Sequence, residues 1–344
     1  MSLVHMSRLF MLLVLFLCLL ALVGCSQSAS DLHDDYLSRL SNVLDVATVA
    51  PEPVSPQSAP RSRELQLDIP DIRVTPLSYW NLRHCELFRL ISERNSILGR
   101  VAAPSSVWRY EARVLHAIQE CSEHEDTRED QQQQLADWAE EKEKAWPRAT
   151  WNGTIASPEV RQIWSAAYSG WGPDNLPSLS TLHNDLQTLA AWADTWPHAD
   201  IADETTFSNL YQRLGQHSSG GQWRRSVQIS QAGLDAANQM LASAVEANRL
   251  CPAGTLTRSG EHAQNVLMLV FIGEVQPYLA ALNRRGEQLL GDFSALTTAT
   301  TVEHEAWEDF MAELRGELDT LQQTTREHAE LWGELLDQCG LSVG

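Results

Sequence analysis

The chain has 344 residues, with 25 Lys and Arg against 45 Asp and Glu, and carries a formal charge of −20. So acidic a chain is a poor partner for nucleic acid, which calls for basic stripes, and it gains no attraction from anionic lipid head groups. Its length exceeds what one hydrophobic core normally serves, so two packed subdomains are expected.

The first stretch speaks of location. Arg8 supplies a positive start, Leu9 to Val23 form an uncharged apolar run, and Gly24 places a small residue before Cys25. That order reads as a secretory signal peptide over residues 1–24, of the lipoprotein kind. Cys25 would take a diacylglyceryl group, and the leader would be cut before it. Ser26 follows where lipoproteins retained in the inner membrane usually carry Asp, so the periplasmic face of the outer membrane is the expected location. An uncleaved anchor helix and a plain secreted protein are the alternatives, although a span usually needs about 18 to 20 apolar residues. Two or three acyl chains would make the bilayer a stable partner through Cys25. A regular pattern begins at Asp31, and six residues of tether reach at most about 20 Å.

The spacing predicts an amphipathic helix over Asp31 to Val46, with Leu32, Tyr36, Leu40, Val43 and Leu44 on one side. Four prolines in residues 51–60 favour an extended, solvated linker. From Glu64 to Pro76 the apolar residues Leu65, Leu67, Ile69, Ile72 and Val74 alternate. Pro70 and Pro76 rule out a central strand, so an extended strap is expected. A helix over Leu77 to Leu98 has Leu77, Trp80, Leu87, Ile91 and Leu98 in line, and Gly99 ends it. Pro104-Ser105 opens its antiparallel partner, which runs to about His124. A helix is expected from Asp130 to Ala145, stopped by Pro147, and another from Pro158 to Tyr168. Further helices are expected from Ser178 or Ser180 to Trp196, and near Glu204 to Leu214. Three long helices then form an up-down-up bundle. They run over about Gln222 to Arg249, Glu261 to Ala295 with a kink at Pro277, and Thr301 to Gln338. The class is all-α: a bundle of long antiparallel helices with an N-terminal extended strap. Residues 25–76 hold the tether, first helix and linker, 77–200 the hairpin and Trp-rich region, and 201–344 the long bundle.

Setting aside Cys18 and Cys25, four cysteines remain for an oxidising compartment. Cys85 and Cys121 lie at similar distances from the hairpin turn, which predicts a bond between them. The up-down-up arrangement predicts Cys251 with Cys339.

Candidate chemistry is sparse. The hairpin register places Arg94 near Glu111 and Glu93 near Arg113, and with His84 and Asn95 these form a polar cluster that reads first as structural ion pairs. His84, His124, Cys85 and Cys121 could bind zinc as imidazole and thiolate, but the disulfide should win, so no metal or cofactor is expected. Trp138, Trp146, Trp151, Trp164, Trp171, Trp192 and Trp196 crowd the middle of the chain. Packing is the simpler role for them, and a sugar-binding cleft the other. The sequence holds no phosphate-cradling glycine loop and no HExxH.

Several stretches carry a resemblance. They are Asp35 to Leu40, Arg83-His84-Cys85, Glu93 to Ser96 with Leu98-Gly99, Pro104-Ser105, Tyr110-Glu111, Trp151-Asn152, Ala156-Ser157 and Gln276 to Leu279. Over most of the mature chain the sequence resembles the domain-of-unknown-function 3080 family of proteobacterial lipoproteins. The resemblance implies an exported helical lipoprotein and brings no catalytic or ligand residues. The expectation is a non-enzymatic envelope binding or scaffolding module with an envelope protein as partner. The alternatives are an envelope hydrolase or sugar-binding protein with its site among the tryptophans, or a sensor using the hairpin cluster.

Overall fold

The computed structural model describes residues 27–55, 58–70 and 75–341. The leader, Cys25 and the strap residues Ile72 and Val74 lie outside them, as do the side chains of Leu77 and Leu98. Among the described residues there is no strand, and the class is all-α.

The first helix, α1 (Ala29–Leu44), starts at a reciprocal cap. Ser28 Oγ accepts from the Asp31 N–H at 3.1 Å, and the Asp31 carboxylate accepts from the Ser28 N–H at 3.0 Å. This satisfies two donors that a helix start leaves orphaned. Leu32, Tyr36, Leu37 and Leu40 are fully buried. The strap follows a single turn at Ser62–Leu65 and is clamped by two adjacent side chains. Trp151 donates its indole N–H to the Leu65 carbonyl at 2.6 Å. The Asn152 amide exchanges two hydrogen bonds with the Leu67 backbone, at 2.8 and 2.7 Å, in place of a strand partner.

The helix expected over residues 77–98 is broken. A turn at Pro76–Asn81 is separated from α2 (Glu86–Asn95) by an extended Cys85, and another short turn follows at Ile97–Arg100. The break lets Leu82 enter the core and sets Cys85 with its Cα 5.4 Å from that of Cys121, to which it is bonded. The partner helix is α3 (Pro104–Ser122). Next comes α4 (Glu129–Gly153), which runs straight through Pro147. The carbonyl a proline frees lies four residues back. Here that is Glu143, which is exposed, so water can satisfy it and the helix continues. The helix expected from Pro158 to Tyr168 ends at Gln162. The Ile163 carbonyl that would carry it on accepts from the Gly221 N–H instead, at 3.0 Å.

Four helices after this match their expected spans closely: α5 (Ser180–Thr195), α6 (Glu204–Leu214), α7 (Ser219–Ala247) and α9 (Glu305–Asp337). Between the last two runs α8, Arg258–Thr300. Instead of a simple kink before Pro277 it shows a π-helical stretch, Leu267–Val275. Such wide turns accommodate a proline ring that cannot take part in the ordinary ladder. By length and composition α8 would pass for a membrane span. Within it Leu267, Val270, Phe271 and Val275 are buried in the bundle, while Met268, Leu269 and Ile272 are exposed. Cys251 and Cys339 are bonded, with their Cα atoms 5.0 Å apart. Gly260, at the start of α8, lies against both sulfurs.

Packing divides the molecule into a large core and a small one. The small core gathers Leu82, Leu87, Leu90, Val114, Ile118 and Leu135 from α2, α3 and α4. Trp151, Trp164, Trp171 and Trp196 belong to the large core, with α1, α7, α8 and α9. The large core thus draws on residues from both sides of residue 200.

Candidate functional site

The hairpin cluster does not assemble into one site. Glu93 does meet Arg113, at 3.7 Å, and Arg113 also reaches Glu86 at 3.7 Å. Arg94, however, donates to the Gly99 carbonyl in the short turn after its own helix. Glu111 pairs with Lys142 of α4 at 2.6 Å, both nearly buried, so the expected Arg94–Glu111 contact is replaced. Asn95 is exposed. His84 Nε2 lies 2.9 Å from Thr127 Oγ1, and its ring stands 4.9 Å from that of His124. His84, Cys85 and Cys121 offer ligand atoms within 4.8 Å of one another, but sulfurs joined to each other are not thiolate ligands.

The central tryptophans are occupied as well. Trp151, Trp164, Trp171 and Trp196 are buried, and Trp192 stacks on Trp196 at 5.1 Å. Trp171 donates its indole N–H to Gln222 at 3.2 Å, and Trp108 donates to Thr150 at 3.1 Å.

The polar groups that converge lie elsewhere. Tyr36 of α1, Asn238 of α7, and His328 and Trp332 of α9 form a closed network inside the large core. His328 Nδ1 is 2.6 Å from Asn238 Oδ1, which can only accept, so the proton sits on Nδ1. Nε2 is then the acceptor, and the Tyr36 hydroxyl donates to it at 2.6 Å. Trp332 donates to the Tyr36 oxygen at 2.9 Å. Each hydrogen bond has one donor and one acceptor, and the imidazole is neutral. Burial, with His33 close by, pushes the His328 pKa down to about 3, and burial raises that of the Tyr36 phenol far above its usual value. Groups so sealed and so engaged act as a bolt between three helices, because an unpaired polar atom here would cost heavily. His33, one turn before Tyr36, lies flat on α7 where Gly233 leaves room. A Cβ at that glycine would stand 2.6 Å from the ring.

Asn238 also reaches the wall of a groove on the molecule. The groove, of about 1100 Å³, runs between α7 and α9, with Ala50–Ser55 along its rim. Its floor is made of small residues, Ala232, Ala236, Ala242 and Gly316, and its walls of Gln228, Gln231, Asp235, Gln239, Glu317 and Glu327. Arg225 holds the rim by donating to the Val54 carbonyl at 2.6 Å. Glu317 is bound by Arg224 at 2.7 Å, and Gln228 donates to it at 3.1 Å.

The sequence carried a signal for this groove that went unread. Gln228, Gln231, Asp235, Gln239 and Ala242 recur at helical spacing, a polar stripe beside the buried one. The bolt had no such signal, since Tyr36 and His328 are 292 residues apart.

A family model described as "Protein of unknown function (DUF3080)" matches residues 33–343. No curated protein and no solved structure matches the chain.

Proposed function

The chain belongs to the DUF3080 family, and on that premise we propose that it is a lipid-anchored envelope binding module. In this reading acylated Cys25 holds it on the periplasmic face of the outer membrane, and a partner protein docks in the groove between α7 and α9. The observation that carries the proposal is the groove itself, a long opening with amide and carboxylate walls on a scaffold bolted together behind it. Helical proteins present such faces to extended or helical partners. Tyr36 and His328 are committed to each other in the interior. The anchor rests on the sequence from Arg8 to Cys25.

Two measurements test the two halves. Mass spectrometry of the mature N-terminus should find a diacylglyceryl cysteine at position 25, whereas an intact Met1, or a soluble form beginning elsewhere, refutes the anchor. A photo-crosslinking residue at Gln239, in the groove wall, should capture a protein in intact envelopes, and the same residue at the exposed Thr188 of α5 should not. Equal capture at both positions refutes the groove as the seat.

A further inference from the structure

We infer that the groove receives an extended cationic segment of its partner, rich in lysine or arginine, laid alongside the chain's own Ala50–Ser55. The inference rests on the groove reading above and adds the chemistry of the ligand. Four carboxylates line the groove, Glu52, Asp235, Glu317 and Glu327, and among the described residues no Lys, Arg or His lines it with them. Only Glu317 among them forms an ion pair among the described residues, with Arg224. Asp235 takes a hydrogen bond from Gln231 at 2.9 Å. Its pKa is raised by desolvation and by the nearby charge of Glu52. Like charges facing one another across an opening cost energy, and a cation between them removes that cost.

Two further features point to a peptide. An extended stretch of polypeptide already lies against α7 here, fixed through a backbone carbonyl, so the groove suits a main chain over small residues. Gln231 donates to Asp235 and Thr324, yet its own carbonyl oxygen is buried without a partner. The oxygen is sealed as the side chain stands, so a ligand N–H meets it only when Gln231 turns.

Beneath the same stretch a pocket of about 260 Å³ shares Glu52, Pro53, Val54 and Ala232 with the groove, and His33 and Asp34 line it. His33 is 1% exposed, and neither ring nitrogen has a hydrogen-bond partner. Burial keeps it neutral, with its pKa pushed down to about 4, so one nitrogen is an open acceptor. Asp34, Glu52 and Arg225 share this pocket with it, two carboxylates against one guanidinium, and Arg225 donates to the Val54 carbonyl.

The test uses the full mature protein in detergent micelles and short fluorescent peptides alternating Lys with Ala, Ser with Ala, and Glu with Ala. The Lys peptide should bind, and should protect residues 228–242 and 316–331 from deuterium exchange. Raising the salt should weaken it. The double variant Asp235→Asn with Glu327→Gln keeps side-chain shape at two exposed positions and should weaken binding about tenfold. Equal binding of the Lys and Ser peptides, or an unchanged affinity in the double variant, overturns the charge inference and leaves the groove standing. If spermine binds as tightly as the Lys peptide, the ligand is a small polycation and the peptide claim falls. No protection of the groove by any probe overturns both readings.

Discussion

The hairpin of α2 to α4 and the bundle of α1, α7, α8 and α9 are held by different means. The hairpin wears its charges outside: Arg89 bridges Glu86 and Glu93 in the open, and a disulfide ties Cys85 to Cys121 across 36 residues. The bundle hides these polar groups, joining Tyr36, Asn238, His328 and Trp332 in its buried interior. Solvent can replace an exposed hairpin contact such as that of Arg89 with Glu86. The bundle gains a single register for three helices, at the cost of needing every member in place.

The largest effect should come at the seam between the two regions. Glu111 sits on α3 between Trp108, which enters the large core, and Val114, which enters the small one. Lys142→Met leaves that carboxylate nearly buried and alone, and should cost about 3–5 kcal/mol in denaturant unfolding. A loss under about 1 kcal/mol would show that the pair is effectively solvated.

Acid should separate the two regions next. His33 and His328 titrate near 6.5 in an unfolded chain, but near 4 and 3 within the bundle. Between those values the unfolded state binds more protons, so their contribution is full above about pH 6.5. It falls as the pH drops toward 4 and then 3. The loss should be on the order of 3 kcal/mol for each histidine by pH 4, with His33→Gln flattening the profile. A melting temperature constant from about pH 6.5 to 4 would contradict the neutral buried imidazoles.

The smallest effect is expected on the hairpin surface. Arg89→Ala removes contacts to two carboxylates, yet should change stability by no more than about 0.5 kcal/mol, because exposed pairs are screened by water and salt. A larger loss would mean that the hairpin is held as the bundle is.

What the sequence disclosed follows the same division. Helices with a clean apolar stripe, such as Ser180–Thr195 and Glu204–Leu214, were legible, and so were both disulfides, because their partners are set by helix geometry over short or regular paths. The break at Cys85 was not, since no glycine or proline marks it. Pro147 misled because the penalty for an interior proline depends on whether the freed carbonyl meets water, a fact of the fold. The register also failed for Arg94 and Glu111, because Lys142 came from a third helix that the two-helix argument did not contain. The groove arises only when α7 and α9 are set side by side, and the bolt only when α1 is added.

The clamp at the beginning of the described chain has one more consequence. Gln27 donates its N–H to Asp174 at 3.3 Å, and its carbonyl lies where a side chain on Gly172 would stand. The body therefore grips the polypeptide two residues after Cys25, leaving no slack of the length that a start at Asp31 would allow. A lipid on that sulfur would hold the body close to the membrane surface, where it would drift in the plane and meet its partners by two-dimensional search.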